Sequence, residues 1–97
     1  MDSKNITVDL LAASDKYDLK ILFNKCQLEL AHNIDVNSAA DYFVAAYLHD
    51  QATLLKETSL RFIIDNYKEV MKTSGFVKIC QFPNALVEII DELMNKP

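Results

Sequence analysis

At 97 residues the chain is sized for one domain with a modest core, and its 51% apolar content excludes a disordered polymer. A net charge of −4, with Arg61 as the one arginine and lysines scattered along the length, excludes the basic stripe that nucleic acid demands. One glycine and two prolines are too few for a sheet joined by tight turns, so the composition selects helices.

Thr7 is placed to cap a first helix, with Leu10, Leu11 and Ser14 on one side. After a corner at Asp15–Asp18, Asp18 is expected to cap a second helix. Leu19, Leu22, Cys26, Leu30 and Ala31 recur there at helical spacing. His32–Asp35 reads as a polar turn anchored by Ile34 and Val36. Asp35 or Asn37 then opens a third helix reaching about Leu48. Ala39, Ala40, Phe43 and Tyr47 form one face of it, while Tyr42, Ala45 and Leu48 spread around the rest. A helix apolar most of the way round is central or has a partner on each side.

Asp50 or Gln51 is expected to open a fourth helix, whose core stripe is Ala52, Leu55, Ser59, Phe62 and Ile63. A second line, Leu60, Ile64 and Tyr67, follows the spacing i, i+4, i+7; core packing explains it first, a binding surface second. Lys68–Lys72 continues as a short helix or turn stopped by Thr73, Ser74 and Gly75. Phe76–Gln81 reads as a helical turn, with strand as the weaker option. Pro83 suits the first position of a last helix, in which Phe82, Leu86, Ile89, Ile90 and Leu93 face one way with Met94 beside them. Glu88, Asp91 and Glu92 mark its wet side, and Asp41, Glu57 and Glu88 read as solvated. The ends, Met1–Asn5 and Asn95–Pro97, are expected to be loose.

No catalytic constellation emerges, so no enzyme, cofactor or metal site is expected. His32 and His49 lack further ligands at metal-binding spacing, and His49 beside Asp50 is better explained by its place at a helix end. The lone glycine forms no phosphate loop. Cys26 and Cys80 sit among apolar residues, are preceded by no signal peptide, and read as two reduced core thiols of an intracellular protein. No apolar run is long enough to span a bilayer. What remains is an apolar surplus near the start, which must be covered by the later helices, by a second copy or by a part outside the chain.

These residues carry a resemblance. Asp9-Leu10-Leu11-Ala12-Ala13, then Lys16-Tyr17, Leu19, Leu22 and Cys26, is similar to the run that ends the BTB (POZ) domain in the speckle-type POZ protein family. Val36-Asn37-Ser38-Ala39-Ala40, Leu48-His49, Ala52, Leu55-Lys56 and Phe62-Ile63 follow in the same order, then Val70, Thr73-Ser74-Gly75, Pro83 and Glu88. Phe76 stands where the family usually has tryptophan, and Asp65 where it has an aromatic near a self-association surface.

The resemblance implies an all-α bundle of antiparallel helix pairs joined by short loops. Residues 6–31 would be the last helices of a BTB domain and 32–95 a 3-box/BACK-like region. It implies a non-enzymatic adaptor element of a cullin-3 ubiquitin ligase, nuclear or cytoplasmic, whose groove receives the N-terminal region of cullin-3. No nucleic acid, membrane or small-molecule substrate is expected. Periodicity nominates Ala31, Ile34, Val36, Tyr42 and Phe43 as the wall of that groove, with simple core burial as the rival reading. The alternative is a self-association module using Leu60, Ile64 and Tyr67, with Asp65 as a like charge opposing a two-fold contact. A chain starting inside a BTB domain is expected to be a fragment or a shortened product.

Overall fold

The computed structural model describes residues 7–95, which form seven helices with no strand among the described residues. They are α1 (Val8–Lys16), α2 (Lys20–His32), α3 (Ala39–Leu48), α4 (Thr53–Asp65), α5 (Tyr67–Val70), α6 (Ser74–Ile79) and α7 (Pro83–Asn95). The short loops set neighbours antiparallel, as the sequence leads one to expect. Met1–Asn5, Lys96 and Pro97, expected to be loose, lie outside the described residues, while Asn95 ends α7.

α1 starts as its sequence dictates: the Thr7 hydroxyl oxygen accepts from the Leu10 amide at 3.2 Å. The corner that follows corrects one expectation. Asp18 does not cap α2; it ends α1, in the left-handed region at φ 56°. The Leu19 amide donates back to Ser14 O at 2.8 Å and the Asp18 amide to Asp15 O at 3.1 Å, the paired closure of a helix C-terminus. Aspartate tolerates that conformation better than most side chains, which lets the chain turn without glycine. Leu19 therefore holds the cap position of α2, with no side-chain cap bond.

α3 begins through a reciprocal exchange one turn upstream. The Ser38 amide donates to Asp35 Oδ1 at 2.8 Å, and the Asp35 amide donates to Ser38 Oγ at 3.0 Å. Neither expected residue stands at the cap of α3, a position Ser38 holds without a side-chain cap bond; Asp35 closes the turn just before it. α4 differs more. Neither Asp50 nor Gln51 caps it: Ala52 occupies the cap position and offers no side-chain bond. The missing acceptor comes from α2, where buried Gln27 Oε1 takes the Leu55 amide at 3.1 Å. The four leading amides of a helix have no partner within it, so this bond ties α2 to the opening turn of α4.

Gly75 also departs from expectation. It terminates nothing; it lies in the first turn of α6 with negative φ. Its value is lack of bulk, because a Cβ there would stand 3.3 Å from Asp41 Oδ1 and 3.4 Å from the Ala40 Cβ. α6 can thereby lie close against the start of α3.

Two apolar clusters hold the bundle. The front one joins Leu11, Phe23, Cys26 and Leu30 from the first hairpin to Ala46, Ala52 and Leu55. The rear one joins Ala39, Ala40 and Phe43 of α3 to Ile63, Ile64, Val70, Ile79, Ala85 and Ile89. α3 serves both, which is why it is apolar on more than one side. Each Leu-sized side chain so buried contributes about 1.5–3 kcal/mol; of the first hairpin's surplus, Leu11, Phe23, Cys26 and Leu30 are covered by α3 and α4, while Leu19, Ile21 and Leu28 stay exposed. Around the rear cluster, Tyr47 meets Phe82 edge to face at 6.2 Å. Lys56 spans from the Tyr47 ring at 5.6 Å to Glu88 Oε1 at 3.1 Å. Glu88 is thus a half-buried partner of α4, and Asp41 likewise pairs with Lys78, where sequence reading left both as solvated. Cys80 is exposed, not a core thiol, and Ile90 is turned outward from the face expected of it.

Candidate functional site

Between α1 and α3 runs a groove of about 510 Å³. Its apolar walls are Val8 and Ala12 from α1 and Tyr42, Val44, Ala45 and Leu48 from α3. The spacing explains the arrangement. Val8 and Ala12 are one turn apart on α1, beside the buried line of Leu11 and Ser14, and Tyr42, Ala45 and Leu48 repeat at three-residue intervals on α3. The small side chains Ala12 and Ala45 leave the trough, and the half-buried Tyr42 closes its side.

The rim is polar. Asp9 and His49 border the groove, and so do Asp41 and Lys78. Lys78 Nζ stands 3.1 Å from Asp41 Oδ1, a charge pairing too oblique to be a hydrogen bond, on a carboxylate oxygen pressed against Gly75. His49 caps α3 and turns its ring to the α1–α2 corner, where Nδ1 lies 2.7 Å from Asp15 Oδ2. The carboxylate only accepts, so Nδ1 carries the proton of that bond. Lengthwise, the pair pins the end of α3 to the end of α1 and fixes one mouth of the groove.

The five residues nominated as a groove wall are divided by the fold. Phe43 is fully buried in the rear cluster, with Ile34 and Val36 packed against the same cluster. Ala31 and Tyr42 pack on the front cluster instead. Tyr42 alone among the five lines the α1/α3 groove. The self-association line is divided too: Ile64 is buried and Leu60 packs on the rear cluster, while Tyr67 is partly exposed beside an apolar recess of about 230 Å³ under α7. Val8, Ala12, Val44, Ala45 and Leu48 were missed. Their signal was present as helical spacing on two helices, yet which faces would meet depends on the corner at Asp18.

Chemically, the groove offers burial and little else. Among the described residues no three of His, Cys, Asp and Glu gather as metal ligands. The thiol nearest the core, Cys26, is pushed up from its ordinary pKa by burial, against a smaller opposite pull from its hydrogen bond with Ser14. A thiol held protonated is a poor nucleophile. No helix of the described residues is long and apolar enough to cross a membrane.

No family model matches the chain. Individual proteins do. It is 37% identical over 87 residues to TD and POZ domain-containing protein 4 of Mus musculus, a stretch covering 90% of this chain and 23% of that protein. It is 35% identical over 74 residues to BTB/POZ and MATH domain-containing protein 4 of Arabidopsis thaliana, covering 76% and 16%. Protein maternal effect lethal 26 of Caenorhabditis elegans is 28% identical over 93 residues, covering 95% and 23%. The homologues thus include BTB/POZ domain-containing proteins. The chain spans about a quarter or less of the length of these relatives.

Proposed function

We propose that the chain is a non-enzymatic protein-interaction module of a BTB-type adaptor for a cullin-3 ubiquitin ligase, working in the nucleus or cytoplasm. In this reading residues 6–31 are the closing hairpin of a BTB domain and 32–95 a 3-box/BACK-like region. The observation that carries it is the α1/α3 groove, whose two walls come from the two sides of that boundary. An extended or helical segment seated there would bury apolar side chains against Val8, Ala12, Tyr42, Ala45 and Leu48, with no bond made or broken. The similarity to BTB/POZ proteins supports the same reading.

The test is capture of the cullin-3 N-terminal region by the immobilised 97-residue chain. Leu48→Asp and Tyr42→Asp are the controls, because Leu48 is exposed and Tyr42 is only half buried. Enrichment by the wild type that both variants lose is the expected result. Equal capture by all three, or none by any, would sink the assignment. Phe43 is no use as a control, since a charge at that position would unfold the rear cluster.

A further inference from the structure

The recess of about 230 Å³ under α7 shares no residue with the α1/α3 groove. Its floor is Ile63 of α4 and Ile89 of α7, both buried in the rear cluster. One wall is α7 itself, where Leu86, Ile89, Ile90 and Leu93 follow the spacing i, i+3, i+4, i+7. α5, α6 and the residues that cap them supply the rest: two aromatic rings, Tyr67 and Phe76, and two sulfurs, Met71 and Cys80. Met71, 53% exposed, and Ile90, 47% exposed, stand at the mouth. No charged side chain lines the recess. Its side-chain hydrogen-bonding groups are the Tyr67 hydroxyl and the Cys80 thiol, with the Met71 thioether a weak acceptor.

We propose that this recess is a binding site for a small, neutral aromatic molecule of one or two fused rings. The lining selects against charge, because an ion seated there would give up water and find no counter-charge. Water itself needs two to four polar partners to be held well, so apolar surface displaces it at a gain. Size sets the upper limit. An apolar cavity of about 150 Å³ takes one benzene, and 230 Å³ leaves room for a second fused ring. The walls favour aromatic over aliphatic occupants, since Tyr67 and Phe76 offer ring contacts and Met71 a polarisable sulfur. A peptide fits less well. One of its side chains would enter, but its backbone would cross Met71 and Ile90, which offer its amides nothing for the water they lose. A seated ring touches α4, α5, α6 and α7 together, so its binding stabilises the folded chain.

Indole is the probe, added to the 97-residue chain. The melting temperature is expected to rise with indole concentration, and nuclear Overhauser effects should join the indole ring to methyls of Ile63, Leu86 and Ile89. Phe76→Trp, which enlarges a ring on the wall, should weaken binding about tenfold or more. Ile90→Lys, which sets a charge at the exposed mouth, should weaken it as well, and Cys80→Ser should leave it intact. Should Phe76→Trp fail to fold by circular dichroism, Ile90→Lys decides, because its position is exposed. Cys80 gives an independent reading. N-phenylmaleimide should alkylate it about tenfold faster than N-ethylmaleimide, after division by their rates with glutathione, and indole should protect the thiol. In that addition the sulfur bonds to one alkene carbon as the π bond opens, and the thiol proton ends on the other. Indole that shifts neither the melting temperature nor the methyl signals overturns the proposal. So does binding that both Phe76→Trp and Ile90→Lys leave unchanged, or a phenyl probe with no advantage at Cys80.

Discussion

Gln27→Met isolates the bond that joins α2 to α4. Methionine keeps the length and flexibility of the side chain and removes its acceptor, so packing is largely conserved. The Leu55 amide, fully buried, would lose its 3.1 Å partner. Because Ala52 provides no side-chain cap, no nearby group replaces it. An orphaned buried donor costs about 1–3 kcal/mol, and loss of a helix cap lies within the same range. In a chain of this size, that lowers the melting temperature by roughly 4–8 °C for each kcal/mol. Urea titration followed by circular dichroism reads it as a lower midpoint at unchanged slope. Asp50→Ala, at the position sequence alone would choose as the cap, should shift stability by less than about 0.5 kcal/mol. The reasoning is refuted if Gln27→Met matches the wild type, or if Asp50→Ala is the more damaging of the two.

Asp18→Gly should stabilise the chain by about 0.5–1 kcal/mol by relieving the left-handed conformation, and Asp18→Val should destabilise it; paired thermal melts rank the three. Phe43→Ala, which empties the middle of the rear cluster, should cost about 3–5 kcal/mol in chemical denaturation. With iodoacetamide, Cys80 should be alkylated promptly and Cys26 only as the chain unfolds, a difference that peptide mass spectrometry resolves. The raised Cys26 pKa also gives stability a sign with pH. The unfolded thiol ionises first, so this contribution is whole below the ordinary thiol pKa and declines as the pH climbs through the raised one. Denaturation midpoints measured between neutral and alkaline pH should therefore fall, and a Cys26→Ala variant should lose that part of the slope.

Much of the fold was legible because it is written in local periodicity. Thr7, the apolar girth of α3, the stripe of α4 and Pro83 each define an element from within it, and the two-sided burial of α3 follows from its composition. What was not legible is long-range. Gln27 looks like an ordinary polar residue on α2 until α4 brings it an unsatisfied amide. Asp18 fits a helix start as well as a helix end, and only the bonds from Asp18 and Leu19 decide. The five residues nominated as a groove wall are divided between clusters for the same kind of reason. Tyr42 and Phe43 are neighbours in sequence, about 100° apart around α3, and so belong to different clusters. Periodicity finds that both are apolar; it does not say which cluster each will meet.

The sharing of α3 has a mechanical meaning. With the two clusters back to back across one helix, neither can loosen without exposing the other, so the front hairpin has no hinge on which to swing. Amide exchange should be slowest along that helix and nearly uniform on both sides, as in a keel to which two planked sides are fastened.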